Sequence, residues 1–151
     1  YKKVYEEIKS LKDVCGDIHL KTILEIGELK TYENIKKASV IALCAGSDFI
    51  KTSTGKISNG SSREACLVMA RTVREFQSYG YGMRGIKVAG GIRSSKDAIR
   101  YLVIINEELG SSWLSPDYFR FGASSLLDDV LRQIKKLKTN AYQSSYYFPR
   151  G

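Results

Sequence analysis

The chain has 151 residues, of which 43% are hydrophobic and 26% are charged, a balance typical of one globular domain with a core. No apolar run approaches the length of about 18 residues that a transmembrane helix requires, so we expect no membrane span. The net charge is +8, but lysine and arginine are scattered along the sequence and do not form a stripe with aromatic residues. This distribution argues against nucleic acid as a partner. A small phosphorylated ligand would use only a few of these cations.

Cysteine usage and the first residues bear on the cellular compartment. Cys15, Cys44 and Cys66 fit neither a zinc pattern nor a CxxC pattern, so we interpret them as reduced, buried thiols and expect no metal site. The first residues are charged and amphipathic, and they lack the apolar segment of a secretion signal. We therefore expect a cytoplasmic protein.

Helical and strand patterns alternate along the chain. Apolar residues at helical spacing predict helices over 2–14, 32–45, 62–78 and 94–108, and a last helix that Ser124 caps. Short apolar runs predict strands over 19–26, 48–53, 83–89 and 118–122, the first of which Gly27 ends. Residues 140–151 are interpreted as an extended tail. We therefore divide the chain into a domain over 1–139 and a tail over 140–151.

One helix followed by four strand–helix units predicts an α/β fold with parallel strands and right-handed crossovers. Two architectures use this order, the open doubly wound sheet and the eight-stranded (β/α)8 TIM barrel. Both place their active sites at the carboxyl ends of the strands. Four strands make only half of such a barrel.

Two lysines lie near the carboxyl ends of predicted strands. Lys51 stands in an apolar strand just before a polar loop, where burial favours a neutral amine that can form a Schiff base with a carbonyl. A lysine that reaches solvent at the rim of the sheet explains the pattern equally well. Lys87 follows after about one βαβ unit, so the two lysines should lie on neighbouring strands, roughly 5 Å apart. Repulsion between two such ammonium groups would leave one of them neutral.

Two glycine-bearing loops precede predicted helices. Gly90 and Gly91 allow the backbone to approach a ligand closely, Arg93 adds a positive charge, and the following helix points its N–H groups at the loop. Gly122 and Ser124 form a similar loop after the last strand, where the serine could cap the helix, bind a ligand or do both. Barrels often bind phosphate with the loops after their last two strands. Alone, such glycines commonly just make turns.

Four segments together resemble deoxyribose-phosphate aldolase, in that family's order and approximate spacing. They are residues 26–29 (IGEL), 48–56 (DFIKTSTGK), 87–93 (KVAGGIR) and 120–125 (RFGASS). The family is a cofactor-free barrel that cleaves 2-deoxyribose 5-phosphate reversibly to glyceraldehyde 3-phosphate and acetaldehyde. The resemblance therefore implies a class I aldolase of the TIM-barrel family, of which this chain holds the last four strand–helix units and a preceding helix.

The resemblance also implies roles for individual residues. Lys51 is the Schiff-base lysine, and Lys87 is the second lysine that favours its neutral form. The positions that match the substrate and phosphate site are Thr54, Gly55, Lys56, Gly90, Gly91, Arg93, Gly122, Ser124 and Ser125. A tyrosine of a C-terminal tail can reach the site in this family, and Tyr146 and Tyr147 are candidates here. Val88 replaces a proline that is frequent in the family, which a central strand should tolerate.

The family's first four strands, with its catalytic aspartate, have no match in this chain. Asp13, Asp17 and Asp48 do not fit the motif of that aspartate. Four strands would leave two open edges and an unfilled barrel interior. We therefore expect the chain to be a fragment of a longer polypeptide or to require a partner that completes the barrel, which could be a second copy of itself.

Two other functional classes fit parts of the sequence. A sugar-phosphate isomerase on a barrel would need a carboxylate base at a strand end, for which Glu25 or Glu28 could serve. A basic domain that binds nucleic acid would show a steep salt dependence of binding. Only the aldolase would become covalently labelled at a lysine when borohydride reduces it in the presence of substrate.

Overall fold

The computed structural model describes residues 1–57, 60–144 and 147–148. Its helices, in chain order, are α1 (Lys2–Cys15), α2 (Ile26–Leu29), α3 (Tyr32–Cys44), α4 (Arg63–Ser78), α5 (Ser95–Leu109) and α6 (Leu126–Thr139). Its strands are β1 (Lys21–Ile23), β2 (Phe49–Lys51), β3 (Gly85–Ala89) and β4 (Phe119–Gly122), and one 3-10 turn covers Ser111–Trp113. The predicted alternation of strands and helices is confirmed.

The four strands form one parallel sheet in the order β1-β2-β3-β4. Each strand pairs with the next strand along the chain, so every crossover connects direct neighbours. That order is the one found in a (β/α) barrel, in which strands follow each other around the axis. The predicted parallel α/β sheet is therefore confirmed, and the described strands form one part of a barrel wall.

The main core lies between one face of this sheet and the helices. Ile50 of β2 and Ile86 and Val88 of β3 are fully buried there, and they belong to one cluster with Met69 of α4 and Ile105 of α5. Successive residues of a strand point to opposite faces of the sheet, so this face takes every second residue. Val88 fills its position in the core, which explains how the chain accommodates valine there.

Phe49 is buried outside that core, on the opposite face of the sheet. Its ring lies over Gly85, where an added Cβ would come within 2.2 Å of the ring. Glycine is therefore required at position 85, because any side chain would collide with the aromatic ring. In a closed barrel this second face is the interior.

Three local expectations are wrong. β1 ends at Ile23 and not at Ile26, because Glu25 adopts a left-handed backbone (φ 52°) that turns the chain into α2, and Gly27 lies inside that helix. The N-cap of α6 is Ser125 and not Ser124, and it makes no side-chain capping bond. Among the cysteines, Cys66 is buried, Cys15 is half-buried and Cys44 is exposed, since Cys44 ends α3 on its outer side.

Asp48 attaches α1 to the sheet. Its Oδ2 accepts hydrogen bonds from the Lys12 ammonium at 2.8 Å and from the Leu20 N–H at 2.9 Å. Burial acts to raise the pKa of Asp48, but the hydrogen bonds from Lys12 and Leu20 and the charges of Lys12 and His19 outweigh it. The pKa therefore lies below its ordinary value, and the ionised carboxylate stabilises the fold.

We expect Asp48→Asn to lower the free energy of unfolding at pH 7 by about 1–3 kcal/mol, the usual loss when a half-buried charged acceptor is removed. Because the folded-state pKa is depressed, this contribution is present above the unfolded pKa of about 3.9 and is lost as the pH falls through the folded value. Urea unfolding at pH 7 and at pH 3 measures both effects, with the exposed Asp13→Asn as the control. Equal losses in the two variants at pH 7 would contradict this role.

Candidate active site

Lys51 and Lys87 are direct neighbours in the sheet. Lys51 is the last residue of β2, and in the parallel register it pairs with Lys87 of β3, which in turn pairs with Arg120 of β4. The prediction that the two lysines lie on adjacent strands is confirmed. Paired residues of adjacent strands point to the same face, so these three cations share the open face of the sheet.

The ends of β2 and β3 are joined by the hydroxyl of Thr52. It donates to the carbonyl of Ala89 at 3.0 Å and accepts from the N–H of Ala89 at 2.9 Å. Thr52 is fully buried, so both bonds are shielded from water. They fix the end of the Lys51 strand relative to the glycine loop that begins at Gly90.

Further hydroxyls hold the glycine loop itself. Ser53 donates to the Ala89 carbonyl, and Ser61 donates to the Gly90 carbonyl at 2.7 Å. The phenol of Tyr101 in α5 donates to the Ser61 hydroxyl at 3.1 Å. The loop is thus tied to the segment after β2 and to α5, which gives it a defined shape.

Glu25 holds the segment that follows Lys51. Its carboxylate accepts from the Thr54 N–H at 3.1 Å and from the Thr54 hydroxyl at 2.5 Å. A left-handed backbone at a residue other than glycine costs free energy, and here it aims the carboxylate at the loop. Through these two contacts, Glu25 fixes the position of the segment that follows Lys51.

An open cavity of about 430 Å³ lies at the carboxyl ends of β2, β3 and β4. Three chain segments form its lining, one after each of these strands. The lining residues are Lys51, Thr54, Gly55, Ala89, Gly90, Gly91, Ile92, Arg93, Gly122, Ala123 and Ser124. Most of the residues singled out from the sequence therefore meet around one cavity.

Other predicted site residues lie outside this lining. The Lys87 side chain passes next to Gly122, which lines the cavity. A Cβ added to Gly122 would lie 3.0 Å from the Cε of Lys87. Lys56 is exposed and Ser125 caps α6. Tyr147 lies near Lys135 of α6, and Tyr146 lies outside the described residues.

The N-terminus of α5 is already used within the protein. Asp129 of α6 accepts hydrogen bonds at 2.6 Å from both the N–H and the hydroxyl of Ser95. The hydrogen bond from the Ser95 hydroxyl has the largest effect on the pKa of Asp129 and lowers it, and the bond from the Ser95 N–H lowers it further. Burial acts in the opposite direction but is outweighed. The Ser94 hydroxyl accepts from the Asp97 N–H at 3.2 Å. Two N–H groups of the first turn of α5, those of Ser95 and Asp97, are therefore already bonded within the protein.

The open face of the sheet has a strongly positive environment. Burial lowers the pKa of Lys21 in β1, and the charges of Lys87, Arg120 and Lys51 lower it further. Such a field attracts anions to the cavity at the strand ends. Among the described residues, no group of three histidine, cysteine, aspartate or glutamate side chains could hold a metal ion. None of the described helices has the length and apolar character needed to cross a bilayer.

Comparison with known proteins shows which family this chain belongs to. The model of the DeoC/LacD family aldolases matches residues 1–132. The chain belongs to the DeoC/LacD aldolase family. It is 47% identical to human deoxyribose-phosphate aldolase over 149 residues and 45% identical to the mouse enzyme, and in each case the match covers 99% of this chain. It spans only 47% of the length of these relatives.

Solved structures of DeoC/LacD aldolases have the same arrangement of strands and helices. The deoxyribose phosphate aldolase of Aeropyrum pernix, described as a unique tetramer, superposes with a TM-score of 0.61 at 25% identity. That match covers 91% of this chain and 50% of the other. An aldolase named QR15 gives a TM-score of 0.67 at 28% identity, covering 91% of this chain and 54% of its own. These likenesses confirm that the described sheet is a partial TIM barrel.

Several residues that shape this site were missed from the sequence. Thr52 and Ser53 directly follow Lys51, and hydroxyl residues at a strand end were a usable signal for a loop contact. Ser61, Tyr101 and Asp129 carried no local signal, because each bonds to a residue about 30 to 40 positions away.

We expect Thr52→Val to lower the free energy of unfolding by about 1–3 kcal/mol, because the Ala89 N–H would lose its buried partner. Hydrogen exchange at the Ala89 amide should accelerate together with this loss. Urea unfolding and exchange measurements check both effects. Thr139→Val is the matched control, since its exposed hydroxyl donates to a carbonyl within its own helix. An unchanged rate of hydrogen exchange at the Ala89 amide in Thr52→Val would show that the Thr52 hydroxyl does not protect this amide.

Proposed function

We propose that this chain carries the nucleophile and the phosphate-binding loops of a class I deoxyribose-phosphate aldolase. The observation that carries the proposal is the placement of Lys51 at a strand end, beside Lys87 and in one cavity with two glycine loops. The substrate that we propose is 2-deoxyribose 5-phosphate, since relatives at 47% and 45% identity are named deoxyribose-phosphate aldolase. The products are glyceraldehyde 3-phosphate and acetaldehyde, and the chemistry uses neither a metal nor an organic cofactor.

Lys51 acts first as a nucleophile. Its neutral amine attacks the aldehyde carbon of the open-chain sugar, and loss of water gives a protonated imine. Lys87 stands beside Lys51 on the adjacent strand, and we assign it to the same catalytic site. The imine then accepts the electron pair of the bond between the second and third carbons as that bond breaks. The hydroxyl proton of the third carbon leaves in the same step, and the phosphorylated aldehyde departs. The enamine left on Lys51 then takes a proton at its second carbon, and water hydrolyses the resulting imine, which releases acetaldehyde and restores the Lys51 amine.

The two glycine loops bind the phosphate of the substrate. Backbone N–H groups at Gly90, Gly91 and Gly122 can approach an anion closely, because no side chain stands in the way. Arg93 supplies a charge-assisted contact, and the hydroxyl of Ser124 a further donor. We assign Thr54, Gly55, Lys56 and Ser125 to the wall and rim of the same site.

The proposed reaction needs a proton acceptor that the described cavity does not supply. Among its lining residues none carries a carboxylate. We propose that the acceptor belongs to the remaining half of the barrel, either as a further part of the same polypeptide or in a partner subunit. We also assign the protein to the cytoplasm and expect a small sugar phosphate, and not a nucleic acid, as its ligand.

Incubation of the full chain with acetaldehyde and borohydride should leave a reduced two-carbon adduct on Lys51. Peptide mapping by mass spectrometry would locate it, and Lys51→Arg should abolish it. The exposed Lys96 provides an internal comparison within the same digest. Adducts spread evenly over Lys51, Lys96 and other lysines would show that Lys51 is not specially reactive and would refute the mechanism.

Gly90→Ala should weaken the binding of inorganic phosphate at least about tenfold. The new Cβ would lie 2.8 Å from the Gly60 Cα and would displace the loop. Gly82→Ala is the control, since Gly82 also has a positive φ but open space around it. Phosphorus NMR titration gives both dissociation constants. Equal phosphate affinity in the two variants would show that the loop at Gly90 does not bind phosphate.

A further inference from the structure

The carbonyl oxygen of Gly90 is held in one direction by Ser61. It accepts hydrogen bonds from the Ser61 hydroxyl at 2.7 Å and from the Ser61 N–H at 3.1 Å. Ser61 stands just before α4, whose N-cap is Ser62. Glycine on both sides of the peptide between Gly90 and Gly91 would allow that peptide to turn over. Two donors from one residue oppose such a rotation, because both bonds would break.

Tyr101 of α5 holds Ser61 in turn. Its phenol donates to the Ser61 hydroxyl at 3.1 Å, so a chain of two hydroxyls ends at the Gly90 carbonyl. Tyr101 is 6% exposed, and its ring packs edge-on to Phe121 with 6.4 Å between the ring centres. Burial has the largest effect on the pKa of the phenol and raises it, so the phenol keeps the proton that it donates. Hydrogen bonds in such a buried chain strengthen each other.

The direction of the Gly90 carbonyl determines where the next N–H points. The peptide is trans, so its carbonyl and the Gly91 N–H point in opposite directions, and this N–H faces away from Ser61. Gly91 lines the cavity at the strand ends, whereas Ser61 and Tyr101 do not. Among the backbone hydrogen bonds between described residues, none is donated by the Gly91 N–H. A backbone N–H in this position is suited to an anion.

Gly91 also has open space around it. A Cβ added to it would meet no atom within 4 Å. On the side of Ser61 and Tyr101 lies a second cavity of about 320 Å³, which Gly91 lines as well. Since atoms that could pack against this backbone are absent on both sides, packing does little to orient it. The orientation of the peptide therefore depends on its hydrogen bonds.

We propose that Tyr101 and Ser61 are positioning residues of the phosphate site. They act through the Gly90 carbonyl and keep the Gly91 N–H directed into the cavity, where it donates to the phosphate of the ligand. Neither side chain lines that cavity, so neither contacts the phosphate itself. The proposal rests on the phosphate-binding role proposed for the glycine loop, and it is independent of the Schiff base at Lys51.

Two variants of the full chain test this role. Tyr101→Phe removes the phenol hydroxyl and keeps the buried ring, and Ser61→Ala removes the hydroxyl between the phenol and the carbonyl. Each should weaken the binding of inorganic phosphate by about three- to tenfold, the effect expected from the loss of one hydrogen bond. Phosphorus NMR titration measures the dissociation constants. In the wild type, the Gly91 amide resonance should shift as phosphate is added, because this N–H is a donor to the anion.

The two losses should not add, because both residues belong to one chain of hydrogen bonds. In a Ser61→Ala background, Tyr101→Phe should change the dissociation constant by less than about twofold. Ser39→Ala is the control for the serine, since it removes a buried hydroxyl that donates at 2.8 Å to the Ile35 carbonyl in α3. Tyr118→Phe is the control for the phenol, since Tyr118 precedes β4 at its amino end. Both controls should bind phosphate as the wild type does.

Three results would overturn the proposal: wild-type phosphate affinity in Tyr101→Phe, additive losses in the double variant, or a Gly91 amide that does not respond to phosphate. A wild-type chain that binds no phosphate would overturn it as well. Trapping of acetaldehyde on Lys51 by borohydride should be equal in the wild type and in Tyr101→Phe. Absence of the adduct from the wild type would refute the proposed Schiff base and leave the result on phosphate binding unaffected.

Discussion

The two hydrogen bonds between the Thr52 hydroxyl and the Ala89 peptide hold the site together. Thr52 follows Lys51 of β2, and Ala89 precedes the glycine loop of β3, so the bonds join two segments that line the same cavity. A strand of three residues makes few ladder bonds of its own. A buried side-chain hydroxyl therefore extends the pairing beyond the last regular residue. Its contribution is large because water cannot replace it.

A second constraint is the balance of charge on the two faces of the sheet. The helix-covered face is apolar and complete, whereas the open face collects cations from all four strands. Concentrated positive charge on one face of a sheet attracts anions to it. The two faces of this sheet therefore differ in character, one apolar and packed against helices and the other cationic.

The sequence was informative wherever chain length controls geometry. The spacing between Lys51 and Lys87 predicted neighbouring strands, because one βαβ unit has a narrow range of lengths. The sequence did not predict the end of β1, because a single backbone angle determines it. The left-handed conformation of Glu25 ends the strand early. The sequence predicted Ser124 as the cap of the last helix, but the backbone path makes Ser125 the N-cap. The bond between Asp129 and Ser95 joins distant positions, so local patterns could not reveal it.

The Phe49 ring over Gly85 has a consequence for traffic through the completed barrel. On the open face of the sheet, it lies closer to the amino ends of the strands than Lys51 and Lys87 do. Aromatic packing at that level leaves the carboxyl end as the entrance on this side of the barrel. A ligand that reaches the cavity lined by the glycine loops therefore approaches it from the carboxyl ends of the strands.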